Sequence, residues 1–184
     1  MKNINELKEQ IERGKKINYL FFWGHQQKSK TTIDKSCFSQ WFPRGFTIDE
    51  VYYKTAEHYM MAEKARLFDN EMVSEILNAK STKEVKSLGR KVKNFDDKVW
   101  SEASFDVVVK GNMAKFSKHE DLKDFLLSTS KKIIVEASPY DKVWGIGMLA
   151  DDEKASNPLK WRGLNKLGFA LMMVRDEILK DKKC

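Results

Sequence analysis

Between Thr55 and Thr129 the chain is punctuated almost wholly by helix starts and stops, and this constrains the fold more than any other feature. Thr55 stands as an N-cap before a run to about Phe68; Ser81 and Glu84 have capping-box spacing and Gly89 supplies a stop. Residues 70–79, 96–117 and 119–129 are further helical segments, the last with Leu122, Phe125, Leu126 and Thr129 on one side. Ile4, Leu7 and Ile11 define an N-terminal helix that stops at Gly14. Asn165 opens an amphipathic helix carrying Leu167, Leu171, Val174 and Ile178. Strand signals are short: Ile17–Trp23, a hairpin-like Phe46–Tyr53 interrupted at Asp49-Glu50, and Ile133–Ala137. Residues 24–45 and 138–162 read as loops. The expectation is a mainly α (α+β) fold with a few short strands and no internal repeat, compact and single-domain over residues 1–184.

Eleven Phe and five Trp within 184 residues, with no Pro/Gly/Ser-rich boundary, are enough to build one sizeable core unaided. No apolar run approaches the ~20 residues of a membrane span, and the charged stretch Met1 to Arg13 lacks the apolar region of a secretory leader. The two cysteines, Cys37 and Cys184, suit a reducing compartment, so a cytoplasmic protein with no membrane partner is expected. A formal charge of +7 attracts anions, either phosphates on a small substrate or a nucleic-acid backbone. The charge is spread out, with only short clusters such as Lys28-Ser29-Lys30 and Lys180 to Lys183, and a solvated lysine-rich surface explains it equally well. The oligomeric state is not legible.

Several chemistries lose support by absence. The three histidines, His25, His58 and His119, fit no metal-ligand spacing, so no metal is expected. There is no G-x-S-x-G, no P-loop, and no G-x-G-x-x-G, since Gly145-Ile146-Gly147 lacks the third glycine; no cofactor is expected. Glu57 in Thr55-Ala56-Glu57-His58-Tyr59 shares a helix face with Met61, Ala65 and Phe68, which aims a carboxylate at the interior. The plainer alternative is a glutamate that complements the helix dipole. Trp100, Trp144 and Trp161 are core residues or stacking surfaces. Trp144 favours the second reading, because it lies in a glycine-flanked loop three residues after Asp141.

Taken in order, Thr55-Ala56-Glu57-His58-Tyr59 with Lys64, Gly89-Arg90, Trp100, Lys115-Phe116-x-x-His119, Asp141-x-x-Trp144-Gly145-x-Gly147, and Gly163-x-Asn165-x-Leu167-Gly168 with Leu171-Met172 and Arg175 resemble the NADAR (NAD and ADP-ribose) superfamily. Within it the chain is similar to the YbiA-type N-glycosidases, from about residue 19 to 179. The resemblance implies a compact, mostly helical fold and metal-free hydrolysis of base–ribose bonds. It implies Glu57, Trp100, Asp141 and Trp144 as functional residues. Lys64 and Arg90 are phosphate candidates from motif position and charge, and Asn165 joins them as substrate-binding. In YbiA-like enzymes the substrates are phosphoribosylamino-pyrimidines, early riboflavin-pathway intermediates, split to ribose 5-phosphate and a diamino- or triaminopyrimidine. Other members remove ADP-ribose from guanine in DNA. One departure is the insert-like stretch Met148 to Lys160, which leaves substrate size open.

Cleaving a glycosidic bond builds positive charge on the ribose, so a carboxylate facing C1′ stabilises the transition state and orients or deprotonates water. Glu57 takes that part. Asp141 binds ribose hydroxyls or assists the leaving base, and Trp144 or Trp100 stacks on it. Two rivals stand beside this enzyme: a non-catalytic ADP-ribose or nucleotide reader, and a basic nucleic-acid-binding helical protein. A pure reader of a phosphate-bearing ligand gains little from a buried carboxylate near the sugar, and no nucleic-acid-binding motif is present.

Overall fold

The computed structural model describes residues 3–29 and 31–181; Lys30, Lys182, Lys183 and Cys184, named above, lie outside them. Among the described residues there are seven α-helices and four strands, the strands forming two two-stranded sheets. The fold is mainly α. The chain divides into two compact units, Met1–Ser39 with Glu120–Cys184, and Gln40–His119.

In the first unit, helix α1 (Ile4–Glu12) is capped by Asn3, whose side chain accepts from the N–H groups of Asn5 and Glu6 at 3.0 Å each. It ends at the expected place, with Gly14 at φ +75°. Strand β1 (Tyr19–Phe22) pairs in parallel with β4 (Ile133–Glu136), Tyr19 opposite Ile133 and Phe22 opposite Glu136. A parallel pair needs a crossover, and here the connection contains the whole second unit and helix α6 (Glu120–Ser128). Ile133, Ile134 and Val135 are all buried, the continuous apolar run expected of a strand covered on both faces. Helix α7 (Lys166–Asp181) packs on β4, so closely at Gly168 that a Cβ there would meet the Ile134 carbonyl, and its Leu167, Phe169, Ala170, Leu171 and Val174 are buried. The inward side of α6 is the one its spacing gives: Leu122, Leu126 and Thr129 are buried, and Phe125 lies 5.4 Å from Phe38.

The second unit is built around helix α2 (Ala56–Phe68). A hairpin of β2 (Phe46–Ile48) and β3 (Val51–Tyr53) precedes it, turning through Asp49 and Glu50 at φ 49° and 63°, the left-handed pair that suits a two-residue hairpin. Helices α3 (Val73–Asn78), α4 (Thr82–Gly89) and α5 (Asp97–Lys118) pack on α2. The segment 70–79 is thus a 3-10 turn, Asn70–Met72, followed by α3. Ala56 to Ala62 are all buried, so the first two turns of α2 are enclosed around their whole circumference rather than along one stripe. Half of the capping box forms: Ser81 Oγ accepts from the Glu84 N–H at 3.2 Å, while the Glu84 carboxylate accepts from Lys80 at 2.7 Å.

The 22-residue α5 starts at Asp96, which accepts from the Val99 N–H at 3.0 Å. Its buried face runs Ser104, Val108, Gly111, Asn112 and Lys115, with helical spacing. At Gly111 a side chain would meet the Tyr59 ring, its Cβ 2.5 Å from Cδ1, so glycine sets how closely α5 approaches α2.

Candidate functional site

Glu57 occupies the second position of α2 and is 8% exposed. The residues around it fix that end of the helix. The Thr55 hydroxyl accepts from the His58 N–H at 3.3 Å and lies 2.8 Å from His58 Nδ1. His58 Nε2 is 3.3 Å from the Ala79 carbonyl, an acceptor only, so the proton sits on Nε2 and Nδ1 accepts from Thr55. Burial pushes His58 below its ordinary pKa and keeps the ring neutral at pH 7. Lys54 donates to the same turn, at 2.8 Å from Ala79 O and 3.3 Å from Asn78 O. The Glu57 N–H donates to the Gln40 carbonyl at 2.9 Å, satisfying one of the helix's first N–H groups with the chain before the hairpin.

Three other expected site residues share this unit. Lys64 donates to the Gly89 carbonyl at 2.7 Å, with its ammonium 4.0 Å from the centre of the Phe95 ring, and burial lowers its pKa. It therefore holds the last carbonyl of α4. Arg90 follows directly and is exposed. Trp100 is half-buried and lies one turn before Ser104 on the inward line of α5.

Asp141, Trp144 and Asn165 belong to the other unit. The Asp141 carboxylate accepts from the N–H groups of Val143 at 2.8 Å and Trp144 at 2.7 Å, so it shapes the loop that carries the half-buried Trp144. That loop is laced to residues 162–167 through backbone bonds, among them Leu164 N–H to Lys142 O at 2.9 Å and Asn165 N–H to Gly145 O at 3.1 Å. A Cβ on Gly163 would collide with the Gly145 carbonyl, which explains the glycine of that motif by close backbone approach. Asn165 is fully buried at φ +53°; its amide donates to Ile134 O and accepts from the Glu136 N–H, both at 2.9 Å. It opens α7 in position, but its side chain satisfies β4. The stretch Met148 to Lys160 includes a 3-10 turn, Pro158–Lys160, and is anchored: Ala155 and Pro158 are buried, and Ala155 O accepts from the Trp161 indole at 2.7 Å. Trp161 is thus a core residue.

Sequence reasoning missed Gln40 and Asn112 and did not single out Lys115. Asn112 is fully buried and donates to Gln40 Oε1 and Val108 O at 2.8 Å each. Lys115, also fully buried, has its ammonium 5.5 Å from the Phe42 ring and 5.1 Å from the Phe116 ring. A buried lysine is costly enough to be a functional candidate. Its place one turn after Gly111 on an inward line was the available signal. Among the described residues no group of three or more His, Cys, Asp or Glu is arranged to hold a metal ion, and no helix is long and apolar enough to cross a membrane.

The buried carboxylate at the start of α2 lies in one unit and the glycine-flanked loop of Trp144 in the other. The NADAR domain model matches residues 21–179. The chain is 42% identical over 165 residues to N-glycosidase R617 of Acanthamoeba polyphaga mimivirus, covering 86% of this chain and 95% of that protein. It is 37% identical over 139 residues to the chloroplastic riboflavin biosynthesis protein PYRR of Zea mays, covering 71% of this chain and 20% of that protein. The NMR structure of the E. coli protein YbiA matches with a TM-score of 0.68 at 24% identity, covering 91% of this chain and 89% of that one, which speaks for the fold. The chain belongs to the NADAR domain family. With relatives named N-glycosidases, it stands among the glycosidases that act on N-glycosyl bonds.

Proposed function

We propose that this protein hydrolyses the bond between ribosyl C1′ and the amino nitrogen of a phosphoribosylamino-pyrimidine in the cytoplasm, releasing ribose 5-phosphate and a diamino- or triaminopyrimidine. The observation that carries the reading is Glu57, a carboxylate 8% exposed at a helix start whose backbone is tied to Gln40 and whose neighbours Thr55 and His58 are hydrogen-bonded. A carboxylate on a helix end fixed this way is positioned in advance for the positive charge that develops on the ribose. The name of the maize relative supports a riboflavin-related substrate.

In the proposed reaction the C1′–N bond breaks and its electron pair leaves with the base nitrogen. Glu57 stabilises the oxocarbenium-like ribose and takes a proton from the water that attacks C1′; the leaving nitrogen is protonated in turn. Arg90, exposed at the end of α4, is the phosphate candidate, and Lys64 supports it by holding Gly89. Trp100 and Trp144 are proposed as stacking surfaces for the base. Asp141 acts in this proposal chiefly by holding the loop that carries Trp144, and Asn165 by tying that loop to β4, through its backbone N–H on Gly145 and its side chain on Ile134 and Glu136. The test is to incubate the purified protein with a phosphoribosylamino-pyrimidine and follow the free base and ribose 5-phosphate by chromatography. Stoichiometric release supports the reading; recovery of intact substrate, with release instead from ADP-ribosylated DNA, would replace the substrate.

A further inference from the structure

We infer that Gln40 is a further substrate-contacting residue, whose side-chain nitrogen donates to a hydroxyl oxygen of the ribosyl group that Glu57 serves; the inference rests on the function proposed above. The amide of Asn112 can be oriented without ambiguity. Its nitrogen lies 2.8 Å from the Val108 carbonyl, an atom that only accepts, so this corner of Asn112 is the NH2 group. The other hydrogen of that NH2 reaches Gln40 at 2.8 Å, so the Gln40 atom facing it is the oxygen. Gln40 is thereby fixed with its own NH2 turned away from Asn112, and Nε2 has no acceptor among the described residues. The residue is half-buried, so this donor is held but not enclosed.

The same residue touches the catalytic helix, because the Gln40 carbonyl accepts from the Glu57 N–H at 2.9 Å. One residue therefore joins the start of α2, through its backbone carbonyl, to α5, through its side-chain oxygen, and carries two oriented donor hydrogens. The orientation comes at a cost to the fold: Asn112 Oδ1 is buried with no hydrogen-bond partner. An orphaned buried acceptor is unfavourable, so it offsets part of what the two bonds donated by Asn112 contribute to stability. Asn112 gives Gln40 a defined direction. A ligand oxygen is the natural complement of a fixed NH2 group, and the 2′-hydroxyl, on the carbon next to C1′, is the hydroxyl nearest the bond that Glu57 works on.

Gln40→Glu keeps an oxygen for Asn112 and removes both donors, so kcat/KM should fall by at least tenfold while the urea midpoint holds. Asn112→Leu removes two donated bonds together with the orphaned acceptor, so the urea midpoint should stay near that of the wild type while kcat/KM falls because the Gln40 amide is released. Independently of any variant's folding, the side-chain NH2 signals of Gln40 in 1H–15N spectra of the wild-type protein should move on titration with ribose 5-phosphate, which carries the sugar without the base. Shifts at the backbone amides of Ala56 to Tyr59 with the Gln40 NH2 signals unmoved would overturn the inference, as would unchanged kcat/KM in folded Gln40→Glu. If no signal moves and the wild-type protein releases no base, the proposed function fails and takes this inference with it.

Discussion

A histidine next to a catalytic candidate invites a catalytic reading, but the bonds of His58 give it another job. Both ring nitrogens are engaged, one with Thr55 and one with Ala79, inside an interior that disfavours the charged ring. Because burial lowers its folded-state pKa below the unfolded value of about 6.5, the unfolded chain takes up a proton first as the solution is acidified. Stability from this group is therefore full above about pH 6.5 and declines with falling pH until the depressed folded value is reached. The urea midpoint should drop between pH 7 and 5.5, and His58→Gln should flatten that dependence; an equally steep profile in the variant would remove His58 as its source. Trp144 is a separate case, half-buried on a loop whose shape Asp141 maintains. Trp144→Ala should weaken substrate binding by about 1–3 kcal/mol, the scale of base stacking, as read by calorimetric titration. Unchanged binding together with lost stability would make it a packing residue.

Helix α5 meets α2 at Gly111, where opposing effects can be weighed. Gly111→Ala gains about 1 kcal/mol of helix propensity. It also forces a methyl against Tyr59, a fully buried ring already set at 5.0 Å from Tyr53 and 6.1 Å from Phe46. Overpacking of this kind costs about 1–3 kcal/mol, so the variant should be less stable by about 1 kcal/mol in urea unfolding. A stabilised variant would show that Tyr59 moves aside freely. Most helix limits were legible because caps and stops are local: Thr55, Ser81 and Gly14 act where their chemistry predicts. Asn165 was legible as the position that opens α7, while its side-chain bonds were not, since its partners Ile134 and Glu136 are about thirty residues away in sequence. Gln40 was illegible for the same reason, as its partner Asn112 is 72 residues away. Glu57 stood out because a carboxylate in an apolar helix pattern is a local anomaly, and it is buried, whereas Lys115 was named only within the Lys115-Phe116-x-x-His119 motif and its burial was hidden among 34 Lys and Arg residues.

At the scale of the whole molecule, the charge of +7 bears on which substrate is used. A protein that grips a DNA backbone releases several counterions, and its affinity falls steeply on a log–log plot against salt. One phosphate on a small substrate gives a shallow slope, which is the expected result for phosphoribosylamino-pyrimidine hydrolysis between about 50 and 200 mM salt. A much higher kcat/KM on ADP-ribosyl-guanine DNA, with a steep slope, would transfer the assignment to that substrate. The most direct measurement compares wild-type protein with Glu57→Gln for release of free pyrimidine, with thermal unfolding as the check on folding. Loss of the preorganised charge should lower kcat by roughly two orders of magnitude or more while the unfolding temperature stays near that of the wild type; near-normal base release from a folded Glu57→Gln protein would contradict the account.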